Sequence, residues 1–334
     1  MINMKHKAIA LISGGLDSIL AAKIVQKQEI EIKGVVFVMQ FASRDIDGFS
    51  ARVKESADAV GINIKVADIA EEFLKVLGSP DYGYGSQVNP CIDCKIFMLR
   101  KAKEMMEKEK ADFVITGEVL GERPMSQRKE ALHIIKKNSG LENYLLRPLS
   151  AKLLAPTVPE EKEIIDREKL FDISGRSRKP QLALAKQYGI KKFFSPASGC
   201  LLTDPMFAKR VRDLMERREV TGDNIAFLKY GRHFRLEDGT KAIVGRDEKE
   251  NEILSFLKKE DDMILRMKEK AGPELLLRGK KSSENIKKAA MLVIGHSKSK
   301  HSDSEIVEFW EDEKDVKTLS ARAMSRAAID RLRV

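Results

Sequence analysis

The segment Ser13-Gly14-Gly15-Leu16-Asp17-Ser18 constrains this chain more than any other. Before it, Lys7–Ile12 is a short apolar run of buried-strand character. After it, Leu16–Gln28 carries apolar residues at helical spacing. A Gly-containing turn from a buried strand into a helix aims backbone N–H groups and the helix dipole at one place, which suits an anion. The two glycines let the backbone close around phosphate oxygens, and Ser13 and Ser18 add hydroxyl donors. The Gly-Lys-Ser/Thr ending of a Walker loop is missing, as is the three-glycine spacing of a dinucleotide fold. The bland alternative, an ordinary strand–helix turn, leaves the small donors and the acid at this junction unexplained.

From residue 1 to about 205, strand-like and helix-like runs alternate, predicting an α/β domain with a mainly parallel sheet and helices on both faces. Strands are expected at Lys33–Val38, Ile62–Val66, Phe113–Thr116 and Asn143–Leu149. Helices are expected at Phe49–Val60, Ala70–Leu77, Asp93–Lys110 and Leu182–Tyr188, with a loop over Gly78–Pro90. Beyond Thr203–Pro205 the charged fraction rises. His233–Leu236 and Lys241–Val244 flank Glu237-Asp238-Gly239, a hairpin signal because Gly tolerates positive φ. Further strands are expected at Met263–Leu265, Leu275–Leu277 and Met291–Ile294, so residues 206–334 read as a smaller C-terminal α+β domain.

With 43% hydrophobic residues, the chain has material for real cores. No apolar run approaches the roughly 20 residues that span a bilayer. The N-terminal apolar stretch is cut by Gly14, Gly15 and Asp17, unlike a signal peptide. Three cysteines do not make a disulfide scaffold and fit a reducing, cytoplasmic setting. The net charge of +10 leans toward a polyanion without naming one.

The hexapeptide resembles the SGGxDS pyrophosphate loop of the N-type ATP pyrophosphatases (the PP-loop enzymes). Thr116-Gly117-Glu118-Val119-Leu120-Gly121-Glu122-Arg123-Pro124-Met125-Ser126-Gln127 is similar to a motif of the tRNA 4-thiouridine synthetases, as are the helix at Cys94–Arg100 and Leu146-Arg147-Pro148-Leu149. Asn89-Pro90-Cys91 is similar to the 2-thiouridine synthetases. The resemblance covers most of residues 5–205. It implies a PP-loop fold and ATP cleavage between the α and β phosphates. It also implies nucleotide contacts from Ser13, Gly14, Gly15, Asp17, Ser18, Lys95, Gly117 and Gln127. Asp17 would assist with Mg2+. A Lys and an amide at such a site can neutralise and orient phosphate or adenine without being consumed. Read without the motif, Lys95 is a solvated helix residue.

The cysteines are Cys91, Cys94 and Cys200. Cys91-Ile92-Asp93-Cys94 opens a helix, where the dipole lowers a thiol pKa. Cys200 follows the small residues Ser198 and Gly199. Structural zinc would need a fourth ligand. A thiol relay would use one cysteine as persulfide carrier and another to resolve it, with Cys94 and Cys200 as catalytic thiols. A 4Fe–4S cluster on all three would leave one iron open. A Cys-x-x-Cys with a distant third Cys is the pattern of the iron–sulfur-dependent tRNA thiolation enzymes, so the resemblance favours the cluster.

Arg176–Lys192 holds six basic residues and no acid, and Arg176, Arg178 and Lys179 are expected to face RNA. Gly231–Leu236 and Ile243–Asn251 resemble the RNA-binding domain of the NFACT proteins over roughly residues 225–300. This adds Arg232, Arg246 and Lys298 as RNA contacts, with Phe227, Phe234 and Trp310 the aromatics on hand for stacking. His6, His133, His233, His296 and His301 have no metal-ligand spacing and read as surface or RNA-contact residues. The expectation is an ATP-dependent tRNA sulfurtransferase, using tRNA and a sulfur donor (sulfide or a persulfide carrier) without a membrane; a homodimer is left open. Two rivals stand: an amide-forming ligase with the same loop, and a non-enzymatic RNA-binding quality-control factor.

Overall fold

A computed structural model describes residues 6–39, 41, 46–193, 200–299, 301 and 304–334, in two compact units, Met1–Asp204 and Pro205–Val334. In unit 1, β1 (Lys7–Leu11), β2 (Glu31–Val38), β3 (Asn63–Asp68), β4 (Phe113–Ile115) and β5 (Leu145–Leu146) form a parallel sheet ordered β3-β2-β1-β4-β5. The order reverses between β1 and β4, so the loops leaving those strands part at a crevice where α/β sheets bind ligands. The helices are α1 (Leu16–Gln26), α2 (Ile46–Asp58), α3 (Ala70–Gly78), α4 (Cys91–Lys108), α5 (Lys129–Asn138), α6 (Val158–Glu161) and α7 (Lys179–Gln187).

Side-chain alternation along the strands divides the core between the two faces. Ala8, Ala10, Phe113 and Ile115 pack with Leu20 and Ile24 of α1 and Leu184 of α7. Ile9 and Val114 pack with Ile96 and Leu99 of α4 and Ile135 of α5. The α/β architecture with helices on both faces is therefore present. The expected strand Asn143–Leu149 shrinks to Leu145–Leu146. Pro148 has no N–H for a ladder, and Ser150 N–H turns back to Arg147 O at 3.0 Å.

Unit 2 runs α8 (Pro205–Glu216), α9 (Gly222–Phe227), β6 (Arg232–Arg235), β7 (Lys241–Val244), α10 (Glu248–Leu257), β8 (Asp262–Met267), β9 (Leu275–Arg278), α11 (Ser283–Gly295), β10 (Glu305–Trp310), β11 (Lys317–Ala321) and α12 (Arg326–Leu332). Its antiparallel sheet has the order β11-β10-β8-β9-β7-β6. Phe234, Val244, Leu265 and Leu277 pack with α11, while Ile243, Ile264 and Leu276 pack with Phe227 and Leu254. The expected hairpin is β6–β7. Met291–Ile294 is the end of α11 instead of a strand. Ser282 Oγ caps that helix by accepting Asn285 N–H at 3.2 Å, and Ala289, Ala290, Leu292, Val293 and Ile294 are the residues it buries in the core. β10 and β11 are not assigned by the sequence reading. Charges in β10 hide its alternation, yet Glu305 and Glu308 pair with Lys270 and Arg266.

Candidate active site

The loop after β1 is braced from within. Gly14 has φ +76°, a conformation that side chains other than Gly resist. Gly15 caps α1 in an extended conformation and makes no side-chain cap hydrogen bond, so the helix start offers its N–H groups to an outside acceptor. Ser13 N–H donates to Ser18 Oγ at 3.2 Å, and Ser18 Oγ–H donates to Gly15 O at 2.8 Å. Ser18 is thus a buried strut, and Ser13 is the exposed hydroxyl of the pair.

Gly117, directly after β4, meets this loop backbone to backbone. A Cβ there would lie 2.4 Å from Asp17 C and from Ser18 N. The residue serves by close approach. Beside it, Glu118 is buried and takes Arg147 Nε at 2.9 Å and Thr116 Oγ1 at 3.2 Å. Lys95 Nζ lies 3.8 Å from the other Glu118 oxygen. Burial pushes the Glu118 carboxyl up, but the Arg147 and Lys95 charges and the hydrogen bonds outweigh it and hold the group below the usual carboxylate range. Lys95 is therefore tethered to the wall of the crevice, with its side chain 28% exposed.

Asp17 faces that crevice from the first turn of α1. Its Oδ2 is 3.1 Å from Arg178 Nη2, while Oδ1 is buried without a hydrogen-bond partner. Burial raises its pKa against the lowering charges of Arg178 and Arg123. Burial and then the Asp17 charge also raise Glu122, so the two carboxylates lie within electrostatic reach. Gln181, fully buried in the first turn of α7, stands near enough to favour charged Asp17, although neither end of its amide makes a hydrogen bond of full geometry. Gln127 is buried and its Oε1 accepts Arg123 N–H at 3.1 Å, which closes the 121–127 loop.

Cys91 and Cys94 occupy the first turn of α4, and Cys94 N–H donates to Pro90 O at 2.8 Å. Between them Asp93 turns inward, accepting Asp81 N–H at 2.8 Å and Tyr82 N–H. Val88 N–H reaches Leu202 O at 3.2 Å, tying the Cys200 segment to the same loop. All three thiols are free, half-buried and within electrostatic reach of one another. The expected dipole-lowered thiolate is not found at Cys94. Burial, ahead of the Lys95 charge, pushes that thiol up to about 12, and burial takes Cys200 to about 11. Among the described residues no three His, Cys, Asp or Glu side chains are already arranged as a metal site. The donor chemistry suits a thiophilic centre nonetheless: three reduced sulfurs lie within electrostatic reach of one another and no disulfide joins them. Ser198 and Gly199 lie outside the described residues.

The residues expected to face RNA fall into two groups. Arg176, Lys179 and Lys298 are exposed. Arg178 is instead paired with Asp17, Arg232 Nη1 donates to Gly245 O at 3.3 Å, and Arg246 is paired with Glu250. The stacking expectation fails, because Phe227, Phe234 and Trp310 belong to the core. His233 is likewise 1% exposed, with Nε2 2.8 Å from Tyr230 O and a pKa driven well below the usual histidine range by burial. His296 is half-buried against the Phe234 ring. Glu118, Arg147, Arg123, Glu122 and Gln181 were not singled out as site residues from sequence. Glu118, Glu122 and Arg123 lie inside the Thr116–Gln127 motif, and charged residues beside a β4-like apolar run are the signal that points to them. Among the described residues no helix is long and apolar enough to cross a membrane.

Residues 3–153 match the family described as thiamine biosynthesis protein (ThiI), and residues 231–333 match the NFACT protein RNA binding domain. A tRNA-specific 2-thiouridylase MnmA from Sulfurimonas denitrificans is 31% identical over 120 residues, which is 34% of this chain and 35% of that protein. A probable tRNA sulfurtransferase from Thermococcus kodakarensis is 27% identical over 177 residues, 52% of this chain and 41% of its own. The crystal structure of a 4-thiouridine synthetase–RNA complex with bound ATP aligns with a TM-score of 0.37 at 21% identity, covering 55% of this chain and 52% of that one. The chain spans about a third to a half of the length of the curated relatives it matches.

Proposed function

We propose that this chain, similar over residues 3–153 to the ThiI family and over residues 231–333 to an RNA-binding domain, is an ATP-dependent tRNA sulfurtransferase. One observation carries the reading. A single turn of α4 bears Cys91, Cys94 and Lys95, and Lys95 reaches Glu118, the neighbour of the Gly117 that packs on Asp17 and Ser18. Sulfur chemistry and nucleotide chemistry are therefore a few contacts apart.

In this reading the N–H groups at the start of α1 hold the β and γ phosphates of ATP, and Lys95 and Arg178 neutralise charge on them. Asp17 and Glu122 suit Mg2+, which binds through one or two carboxylates together with phosphate oxygens. A nucleobase carbonyl oxygen attacks the α-phosphate, forming a P–O bond, and pyrophosphate leaves with the electron pair of the bond that breaks. Sulfide then attacks the activated carbon, forming the C–S bond and losing its proton, and AMP departs with the former carbonyl oxygen and the electron pair of the C–O bond that breaks. Cys91, Cys94 and Cys200 are the sulfur-handling residues. They are the three ligands available to a 4Fe–4S cluster, which when bound would offer an uncoordinated iron to sulfide. The exposed Arg176 and Lys179, with Lys298 of unit 2, would meet tRNA phosphates. An amide-forming ligase with the same loop would have no use for three thiols within electrostatic reach of one another.

The test combines two measurements. Protein purified without oxygen is assayed for iron and acid-labile sulfide, and tRNA nucleosides from a deletion strain are compared by mass spectrometry. Loss of one thiolated nucleoside, restored by the wild-type gene and not by a Cys91→Ser/Cys94→Ser/Cys200→Ser gene, is expected. An unchanged nucleoside profile overturns the function, and a fully active protein without iron overturns the cluster.

A further inference from the structure

Four charged side chains form one row across unit 2. Arg235 of β6 stands opposite Lys241 of β7, Lys241 opposite Arg278 of β9, and Arg278 opposite Asp262 of β8. Directly opposed residues in antiparallel strands share a face, so Lys241 sits between two guanidinium groups, an arrangement that like charge disfavours. Both arginines are fully engaged. Arg235 holds Asp213 at 2.9 Å and also pairs with Glu219. Arg278 holds Asp262 at 2.8 Å and Asn224 Oδ1 at 2.8 Å, with its Cζ 4.6 Å from the centre of the Phe227 ring.

Lys241 has nothing equivalent. It is 2% exposed, and among the described residues its ammonium is the one buried lysine head group without a hydrogen-bond partner. An ammonium carries three donors, and leaving them all unmet in the interior is costly. Arg235, Lys241 and Arg278 of the row line a cavity of about 520 Å3, which Asn224, Thr240 and Lys280 also line. Its two acids are spoken for: Glu219 by Arg235, and Asp238 by Thr240 N–H at 3.0 Å and Asn285 Nδ2 at 2.8 Å. Of the four cationic side chains that line the space, Arg235 and Arg278 are held by acids, which leaves Lys241 and Lys280 to meet a ligand.

We propose that this cavity is a phosphoryl-binding site, with Lys241 as the ammonium that the ligand satisfies and Lys280 as the cation at its exposed edge. The site does not depend on the sulfurtransferase reading. The cavity accepts a phosphoryl group from either of two sources, an RNA chain or a small free phosphate ester. Burial, followed by the Arg235 charge, holds the Lys241 pKa down to about 7, so an anion also restores the proton that the empty site disfavours.

The full chain is tested by equilibrium dialysis against radiolabelled inorganic phosphate without nucleotide, because ATP is itself a phosphate ester, and the cavity variants separate this site from the nucleotide loop. Saturable binding is expected, weakened at least tenfold by Lys241→Met and severalfold by Lys280→Met. Because Lys280 is exposed, its replacement does not threaten folding. Displacement of phosphate by a 5′-phosphorylated oligoribonucleotide and not by its 5′-hydroxyl twin assigns the ligand to an RNA end. Displacement by both assigns it to internal RNA phosphates, and by neither to a free ester. Absence of saturable binding to the wild type, or affinity unchanged in both variants, overturns the site. If Lys241→Met does not fold, the Lys280→Met affinity alone decides.

Discussion

Arg178 Nη2 and Asp17 Oδ2 lie 3.1 Å apart, although 161 residues separate them in sequence. The pair ties the N-cap of α7 to the loop after β1 and removes Arg178 from the open basic face that its sequence neighbourhood suggests. In the proposed function Mg-ATP would give Asp17 a new partner and free Arg178 to turn to phosphate. Arg178→Met should then weaken ATP binding at least tenfold, which is about 1.4 kcal/mol. Arg178→Lys should recover part of it. Calorimetric titration with a non-hydrolysable ATP analogue gives the numbers, and equal affinity for Arg178→Met and wild type would exclude this role.

Gly117→Ala places a methyl 2.4 Å from two main-chain atoms of α1. Overpacking of this kind costs roughly 1–3 kcal/mol. The variant should melt several degrees lower and bind the ATP analogue weakly, both readable in one thermal-shift series with and without nucleotide. A variant as stable as wild type that binds normally would show that the loop yields.

The Glu118–Arg147 pair is buried on both sides, with each side chain 3% exposed. Removing one partner strands the other charge, so Glu118→Leu should cost about 3–5 kcal/mol. The double change Glu118→Leu/Arg147→Met should recover most of that loss. Urea denaturation of the two single variants and the double variant closes the cycle, and additive losses would refute the coupling.

Lys241 carries a pH signature of its own. Its folded pKa is held down to about 7, whereas the unfolded chain has the ordinary lysine value near 10.4. Between these values the unfolded chain binds more protons, so raising the pH stabilises the folded state. Relative to Lys241→Met, the wild type should therefore gain stability from about pH 7 to pH 10, by an amount on the order of a few kcal/mol. Below pH 7 the difference should be flat. Chemical denaturation of both proteins across this range measures it, and a constant difference would mean that Lys241 keeps its proton in the folded state.

The parts legible in sequence were those written in local periodicity and turn chemistry: β1, the hexapeptide, α1 and the β6–β7 hairpin. What resisted was non-local. Bringing the Cys200 segment to the loop before Cys91 and Cys94 depends on contacts such as Val88 with Leu202, which no spacing rule states. Glu118 and Arg147 each lie in one of the motifs, but neither motif states that the fold buries the two as a pair. Arg178 lies in a run of bases and was read by its neighbours' charge, whereas its partner is one acid in the first turn of α1. At Met291–Ile294 an apolar tetrad fits strand or helix equally, and the Ser282 cap nine residues upstream decides.

Gly117 has one further consequence, for heredity. Its neighbours are main-chain atoms of Asp17 and Ser18, which every amino acid at those positions would supply alike. A lesion at Glu118 can be repaired by a second change at Arg147, because side chain answers side chain. A lesion at Gly117 has no such remedy: no change of residue on α1 moves its backbone aside. The position admits reversion and no second-site suppressor within the helix it touches.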